Sequence, residues 1–207
     1  MVNETFHDIL TRMADQLEFK LSPEVIERLA AHYEVVMQAN LLLHLTGPVS
    51  AEEFAERHTL ESLAILKFLP KGAKFADIGP GGGFPSIPCL IARPDLSATL
   101  VESKIKKAEF LVDAADELGI ADRVTVINKQ FEEVPNLVGD LITCRALDKF
   151  SEKLPRLLRR FSGTQFLLFG GPNLADALKA IDRRFDAILL PNSERRFLFV
   201  VKPVKRT

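Results

Sequence analysis

An α/β fold, built as a seven-stranded and mostly parallel sheet behind a helical cap, follows from three observations in this 207-residue chain. The first seventy residues carry apolar side chains at helical spacing, whereas from Lys74 onward short apolar runs alternate with amphipathic stretches, the texture of a doubly wound sheet. Seven such short runs can be marked out. The last two have only Pro191-Asn192-Ser193-Glu194 between them, too short for a parallel crossover, so they form an antiparallel hairpin. The division expected is a cap over 1–70 and an α/β domain over 71–207.

Each element has a local reason. A first helix is expected from about Glu4 to Phe19, and a second after Ser22-Pro23, a capping residue followed by proline in the first turn. Val25, Leu29, Tyr33, Val36 and Met37 then recur at helical spacing. Ser50-Ala51-Glu52-Glu53 is a capping-box pattern opening a helix over 51–68, with Phe54, His58, Ile65 and Leu69 on or near one face. Strands are expected near 74–78, 97–102, 123–128, 140–144, 164–169, 186–190 and 195–202. Helices are expected near 86–92, 104–118, 148–161 and 173–184, the second stopped by Gly119. There is no internal repeat or low-complexity tract.

Composition narrows the class. Hydrophobic content of 47% with 27% charged residues is that of an ordinary globular chain. No apolar run approaches the roughly 18 residues a membrane span needs, and Met1-Val2-Asn3-Glu4 lacks the order of a signal peptide, so a cytoplasmic protein is expected. Cys89 and Cys144 form no C-x-x-C pair and read as buried thiols. No metal site is expected, since His7, His32 and His44 show no ligand spacing. A net charge of -1 does not advertise a nucleic-acid binder. Basic clusters at Lys104-Ile105-Lys106-Lys107, Arg156 to Arg160, Arg183-Arg184, Arg195-Arg196 and Lys202 to Arg206 still allow a basic face; each equally reads as a solvated helix end or strand edge.

The stretch Asp77-Ile78-Gly79-Pro80-Gly81-Gly82-Gly83-Phe84-Pro85 follows the first strand directly. Closely spaced glycines between a strand and a helix let the backbone pass close to a ligand. The spacing is G-x-G-x-G, and Phe84 stands where a dinucleotide fold has its third glycine, which argues against a nicotinamide enzyme. Glu102, at the end of the second strand, fits a carboxylate that accepts hydrogen bonds from a ribose. A nucleoside cofactor without a pyrophosphate is the best reading, with S-adenosylmethionine the leading candidate. In open parallel sheets the ligand sits at the carboxyl ends of the strands, which adds Phe131-Glu132 and Arg145 to Asp77–Phe84 and Glu102. Phe131 can pack on an adenine and Arg145 can hold a carboxylate or phosphate. Structural readings stand beside these: Glu102 as an acid at a helix start, Glu132 as half of a solvated pair, Arg145 as an ion-pair partner and His58 as a packing residue.

Taken together, Leu45-Thr46, Arg57-His58, Ser62, Phe75 to Gly79, Gly81, Gly83-Phe84-Pro85, Ile87-Pro88, Arg93-Pro94, Glu102-Ser103, Lys106-Lys107, Phe110-Leu111, Glu132-Glu133 and Arg145-Ala146 resemble the ribosomal small-subunit RNA methyltransferase G family, also called glucose-inhibited division protein B. The resemblance covers nearly the whole chain. It implies a class I, Rossmann-like methyltransferase that uses S-adenosylmethionine to methylate N7 of a guanine in 16S ribosomal RNA, acting on the RNA or the 30S particle; a monomer is expected. It implies a cofactor site made from Asp77, Gly79, Gly81, Gly83, Phe84, Glu102, Phe131, Glu132 and Arg145, with Arg145 also positioning substrate. Arg57, His58, Lys106 and Lys107 become RNA-contact candidates. The chain departs from the family's usual pattern with His44 for Asn, Glu61 and Glu102 for Asp, Phe169 for Lys and Gln130 for Arg; the last two are expected to weaken phosphate attraction. Two other functions fit the sequence: a family member that binds cofactor and RNA without turnover, or a methyltransferase for a small molecule or protein.

Overall fold

Capping chemistry sets where the helical segment begins. In this computed structural model, which describes residues 4–15, 20–135, 137, 139–145 and 150–204, helix α1 (Phe6–Ala14) opens on Thr5, whose hydroxyl accepts from the Asp8 amide while the Asp8 carboxylate accepts from the Thr5 amide. The expected extension to Phe19 falls outside the described residues. Helix α2 (Pro23–Leu43) starts on Ser22 with proline in its first turn and ends at His44 in a left-handed conformation. Asn40 then braces the exit, accepting from the Thr46 amide at 2.9 Å and donating to its hydroxyl at 3.1 Å.

The reciprocal Ser50–Glu53 capping box forms as expected and opens α3 (Ala51–Glu53). The regular helix expected over 51–68 does not follow. The chain widens into a π-helical turn over Phe54–Leu60 and then tightens into 3-10 geometry over Glu61–Phe68. Such changes of winding re-aim side chains, and here they fall on the stretch that carries His58 and Glu61.

Seven strands form one sheet: β1 (Lys74–Ile78), β2 (Ser97–Val101), β3 (Val124–Ile127), β4 (Leu141–Arg145), β5 (Gln165–Gly170), β6 (Phe185–Leu189) and β7 (Phe197–Val201). Their order is β3-β2-β1-β4-β5-β7-β6. All pairings are parallel except those of β7, which runs antiparallel to β5 and to β6, so the Pro191–Glu194 connection is the expected hairpin. The central strands are buried on both faces, as parallel strands under helices must be. Helices α4 (Ser86–Ala92), α5 (Ile105–Glu117), α6 (Phe150–Arg160) and α7 (Pro172–Ala180) supply the crossovers. Helix α5 closes where Gly119 was expected to stop it, with the Gly119 amide on Asp116 O and the Ile120 amide on Ala115 O. Of the helix expected over 148–161, residues 148 and 149 lie outside the described set.

One hydrophobic core joins the helical segment to a face of the sheet: Leu10, Leu29, Phe54 and Ile65 pack in the same cluster as Phe75, Leu90 and Leu111. Burying each such side chain contributes roughly 1.5–3 kcal/mol, so core packing is a large part of what holds the helical segment to the sheet. The second core, with Leu154, Leu157 and Leu178, lies against the other face. Cys89 and Cys144 are buried and make no disulfide.

Candidate cofactor and substrate cleft

Strand order reverses between β1 and β4, and at that point two loops leave the sheet in opposite directions and open a crevice. A cleft of about 450 Å3 occupies it, lined from the carboxyl ends of β1 to β4 by Gly79, Gly81, Phe84, Glu102, Phe131 and Arg145. That volume suits a nucleoside-sized ligand. His58 and Lys107 also reach the cleft, while Asp77, Gly83, Glu132, Arg57 and Lys106 are not on its wall.

The loop after β1 is held from behind. Gly79, Gly81 and Gly83 have φ of 71°, 56° and 90°, the left-handed region that costs a side-chain-bearing residue roughly 1–2 kcal/mol. A Cβ on Gly83 would stand 2.7 Å from Ile87 Cγ1 in the core, whereas one on Gly81 meets nothing within 4 Å. Asp77, fully buried, accepts from Ser86 Oγ at 2.6 Å and so ties the strand end to α4. Desolvation pushes its carboxyl well above the usual carboxylate range.

The cap grips the same loop. His32 Nε2 lies 3.0 Å from the Gly82 carbonyl oxygen, which can only accept, so the ring carries its proton on Nε2. Complete burial pulls the His32 pKa down to about 4 and keeps the ring neutral. Phe84 sits among His32, Phe54 and His58, with ring centroids 5.1, 5.6 and 4.9 Å away. His58 is therefore a packed wall residue more than a surface cation; burial, then the charge of Arg145, pulls its pKa down to about 3. Its Nδ1 is buried without a partner.

At the end of β2, Glu102 is 6% exposed and accepts from the Lys104 amide at 2.9 Å, which fixes the carboxylate at the cleft edge. Phe131 is buried on the same cleft wall, and Glu132 pairs loosely with Arg156 at 3.6 Å. Arg145, ending β4, donates from one NH2 to Glu61 at 3.2 Å, lies 5.2 Å above the Phe169 ring and has NH1 buried without a partner. Burial lowers its pKa, although the guanidinium remains charged. Phe169 is thus a buried platform beneath Arg145 and presents no side chain to a surface. Arg57 pairs with Glu53, Lys106 is exposed, and Lys107 Nζ donates to His44 O. Lys104, Lys129 and Lys153 add further cations to the cleft wall.

Comparison with known proteins decides the family. A family model described as rRNA small subunit methyltransferase G matches residues 25–195. The chain belongs to the rRNA small subunit methyltransferase G family. Among its relatives, one from Coxiella burnetii is 36% identical over 172 residues, covering 81% of this chain and 82% of that protein. Another, from Lactobacillus delbrueckii subsp. bulgaricus, is 31% identical over 221 residues, covering 97% and 92%. Both carry the name ribosomal RNA small subunit methyltransferase G. Solved structures share the fold: an RNA methyltransferase from Salinibacter ruber in complex with S-adenosyl-L-homocysteine (TM-score 0.52, 15% identity, 70% of this chain and 90% of that one) and a ribosomal protein L11 methylase from Lactobacillus delbrueckii subsp. bulgaricus (TM-score 0.57, 16% identity, 76% and 81%). The expected class I, Rossmann-like methyltransferase fold is therefore borne out, and this family of methyltransferases uses S-adenosylmethionine.

The residues present fit that cofactor. A buried guanidinium NH1 without a partner suits a carboxylate, a carboxylate at the tip of β2 suits ribose hydroxyls, and Ile78, Val101 and Phe131 offer apolar wall to an adenine. Sequence reasoning missed His32, which it read only for metal spacing, and gave no role to Lys129, Lys153 or the Glu61–Arg196 contact. No group of side chains able to hold a metal ion occurs among the described residues, and no described helix is long and apolar enough to cross a membrane.

Proposed function

We propose that the chain methylates N7 of a guanine in 16S ribosomal RNA, acting as a monomer in the cytoplasm on the RNA or the 30S particle. The observation that carries this reading is the convergence of the glycine turn, Glu102, Phe131 and the Arg145 guanidinium in one cleft with lysines on its wall. In this reading the Arg145 guanidinium binds the cofactor's carboxylate and Glu102 accepts from its ribose. Phe131, with Glu132 next to it, flanks the adenine, and Gly79, Gly81 and Phe84 bring backbone and ring against the chain between them. Asp77 and Gly83 act from behind, by fixing the loop.

S-adenosylmethionine supplies, when bound, an electrophilic methyl on a sulfonium. Guanine N7 is a lone-pair acceptor with no proton to lose, so the protein needs no general base. Its task is alignment, which a rigid loop held by His32 and Ser86 serves. His58, neutral and in the wall, adds no charge that would repel a purine gaining positive charge. Lys104, Lys106, Lys129 and Lys153 attract phosphates flanking the target, which answers the loss of cations at 130 and 169.

The test is transfer of labelled methyl groups to 16S RNA or 30S particles, with small amines and phenols as competitors. Incorporation into RNA that small molecules do not compete away is expected. Incorporation into a small molecule or protein, with none into RNA, overturns the substrate; cofactor binding without any transfer overturns turnover.

A further inference from the structure

Glu61 is buried to 2% exposure, yet its carboxylate is shared by two guanidiniums from distant parts of the chain. Oε1 accepts from Arg196 Nε at 2.6 Å, and Oε2 accepts from Arg145 NH2 at 3.2 Å. Arg196 also donates from NH2 to Glu56 at 2.8 Å. Its backbone is fixed by the β6–β7 hairpin: its amide donates to Ser193 Oγ at 2.8 Å and its carbonyl accepts from the Leu190 amide at 2.9 Å. Arg196 lies one position beyond the stretch 25–195 that the family model matches, and it does not line the cleft.

The division of Glu61 matters because a carboxylate facing a single arginine tends to bind it through two parallel N–H···O bonds. Such a pair would take a second N–H of the Arg145 guanidinium as well as NH2 and neutralise its charge more fully. Here the shorter bond goes to Arg196, Arg145 keeps one long contact, and its NH1 has no partner. Without Arg196, Glu56 and Glu61 would present two carboxylates near a single guanidinium, and the field at the cleft would turn against an anion.

We propose that Arg196 is a positioning residue: by taking the shorter of Glu61's two bonds, it keeps Glu61 from a bidentate grip and leaves the charge of the Arg145 guanidinium to the cofactor's carboxylate. The inference rests on the reading above that Arg145 binds that carboxylate. Arg196 is also the chain's means of making the antiparallel hairpin, far from the glycine turn in sequence, a determinant of cofactor affinity.

The test uses calorimetric titration of the full chain with S-adenosylhomocysteine, which has the carboxylate, and with 5′-methylthioadenosine, which lacks it. Arg196→Gln is expected to weaken S-adenosylhomocysteine by about tenfold, the size of one modest charge contact, and 5′-methylthioadenosine by less than about twofold. Arg196→Lys, which keeps a cation for Glu61, is expected to recover most of the loss and serves as the reporter should Arg196→Gln not fold. Glu56→Gln removes the competing charge on Arg196 and is expected to preserve or tighten S-adenosylhomocysteine binding. Equal loss of both ligands in Arg196→Gln, no loss of either, or weakening by Glu56→Gln would overturn the proposal. Arg145→Gln separates the two levels. If it loses S-adenosylhomocysteine selectively while Arg196→Gln does not, only the role of Arg196 fails; if it shows no selectivity, the assignment of Arg145 fails and this inference with it.

Discussion

Replacing His32 with Phe separates the hydrogen bond to the glycine turn from the ring packing around it. The substitution keeps a flat ring beside Phe84 but leaves the buried Gly82 carbonyl without its 3.0 Å donor. An unsatisfied buried acceptor costs about 1–3 kcal/mol, and each kcal/mol lowers Tm by roughly 2–4 °C in a chain of this size. His32 falls from 6.5 to about 4 on folding, so between those values the unfolded chain binds a proton that the folded chain does not. Stability is full above about pH 6.5 and is lost as pH falls toward 4; from His32 alone the loss at pH 5 is about 2 kcal/mol. His32→Phe removes that titration. The variant should therefore be less stable than the parent at pH 7.5, and the gap should narrow by about 2 kcal/mol at pH 5. Urea unfolding followed by far-UV circular dichroism is the assay, since the chain has no tryptophan. A gap that stays constant between the two pH values would refute a neutral buried His32, and no gap at pH 7.5 would refute the importance of its bond to Gly82.

Gly81→Ala and Gly83→Ala should separate binding from stability: Gly81→Ala should cost only the roughly 1–2 kcal/mol of left-handed strain while weakening S-adenosylhomocysteine in calorimetry, whereas Gly83→Ala, driven into Ile87, should lower Tm by distinctly more. Phe169→Lys should destabilise the fold and weaken S-adenosylhomocysteine binding, because it buries a second cation beneath Arg145; a gain in RNA affinity with unchanged Tm would contradict the placement of Phe169. Lys129→Ala and Lys153→Ala should each reduce the slope of log affinity against log salt for a single-stranded RNA fragment by about 0.7, with cofactor affinity unchanged; slopes equal to the parent's would remove these lysines from the RNA surface.

The sheet was legible in the sequence because each strand is a short apolar run bounded by turn residues, and the hairpin because Pro191–Glu194 leaves no room for a crossover. The glycine turn, Glu102, Phe131 and Arg145 were legible because a parallel sheet places all its strand ends on one edge. What escaped has no local signature. The His32–Gly82 bond spans 50 residues and the Arg196–Glu61 pair 135, and neither spacing corresponds to any helical or strand period. The widening into a π turn at Phe54–Leu60 was equally hidden, since its capping box and apolar spacing match an ordinary helix. Phe169 looked like a lost surface cation from sequence alone; only the pairing of β5 with β4 at Arg145↔Phe169 puts the ring beneath the guanidinium.

The position of the methyl group separates transfer to guanine N7 from transfer to any other atom. After reaction of the purified chain with S-adenosylmethionine and 30S particles or 16S RNA that lack the modification, borohydride reduction and aniline treatment cleave the RNA only where a guanine carries a methyl on N7. A single new scission at one 16S guanine, absent with Arg145→Gln, is the result expected. Methyl incorporation with no such scission, or scission unaffected by Arg145→Gln, would contradict it.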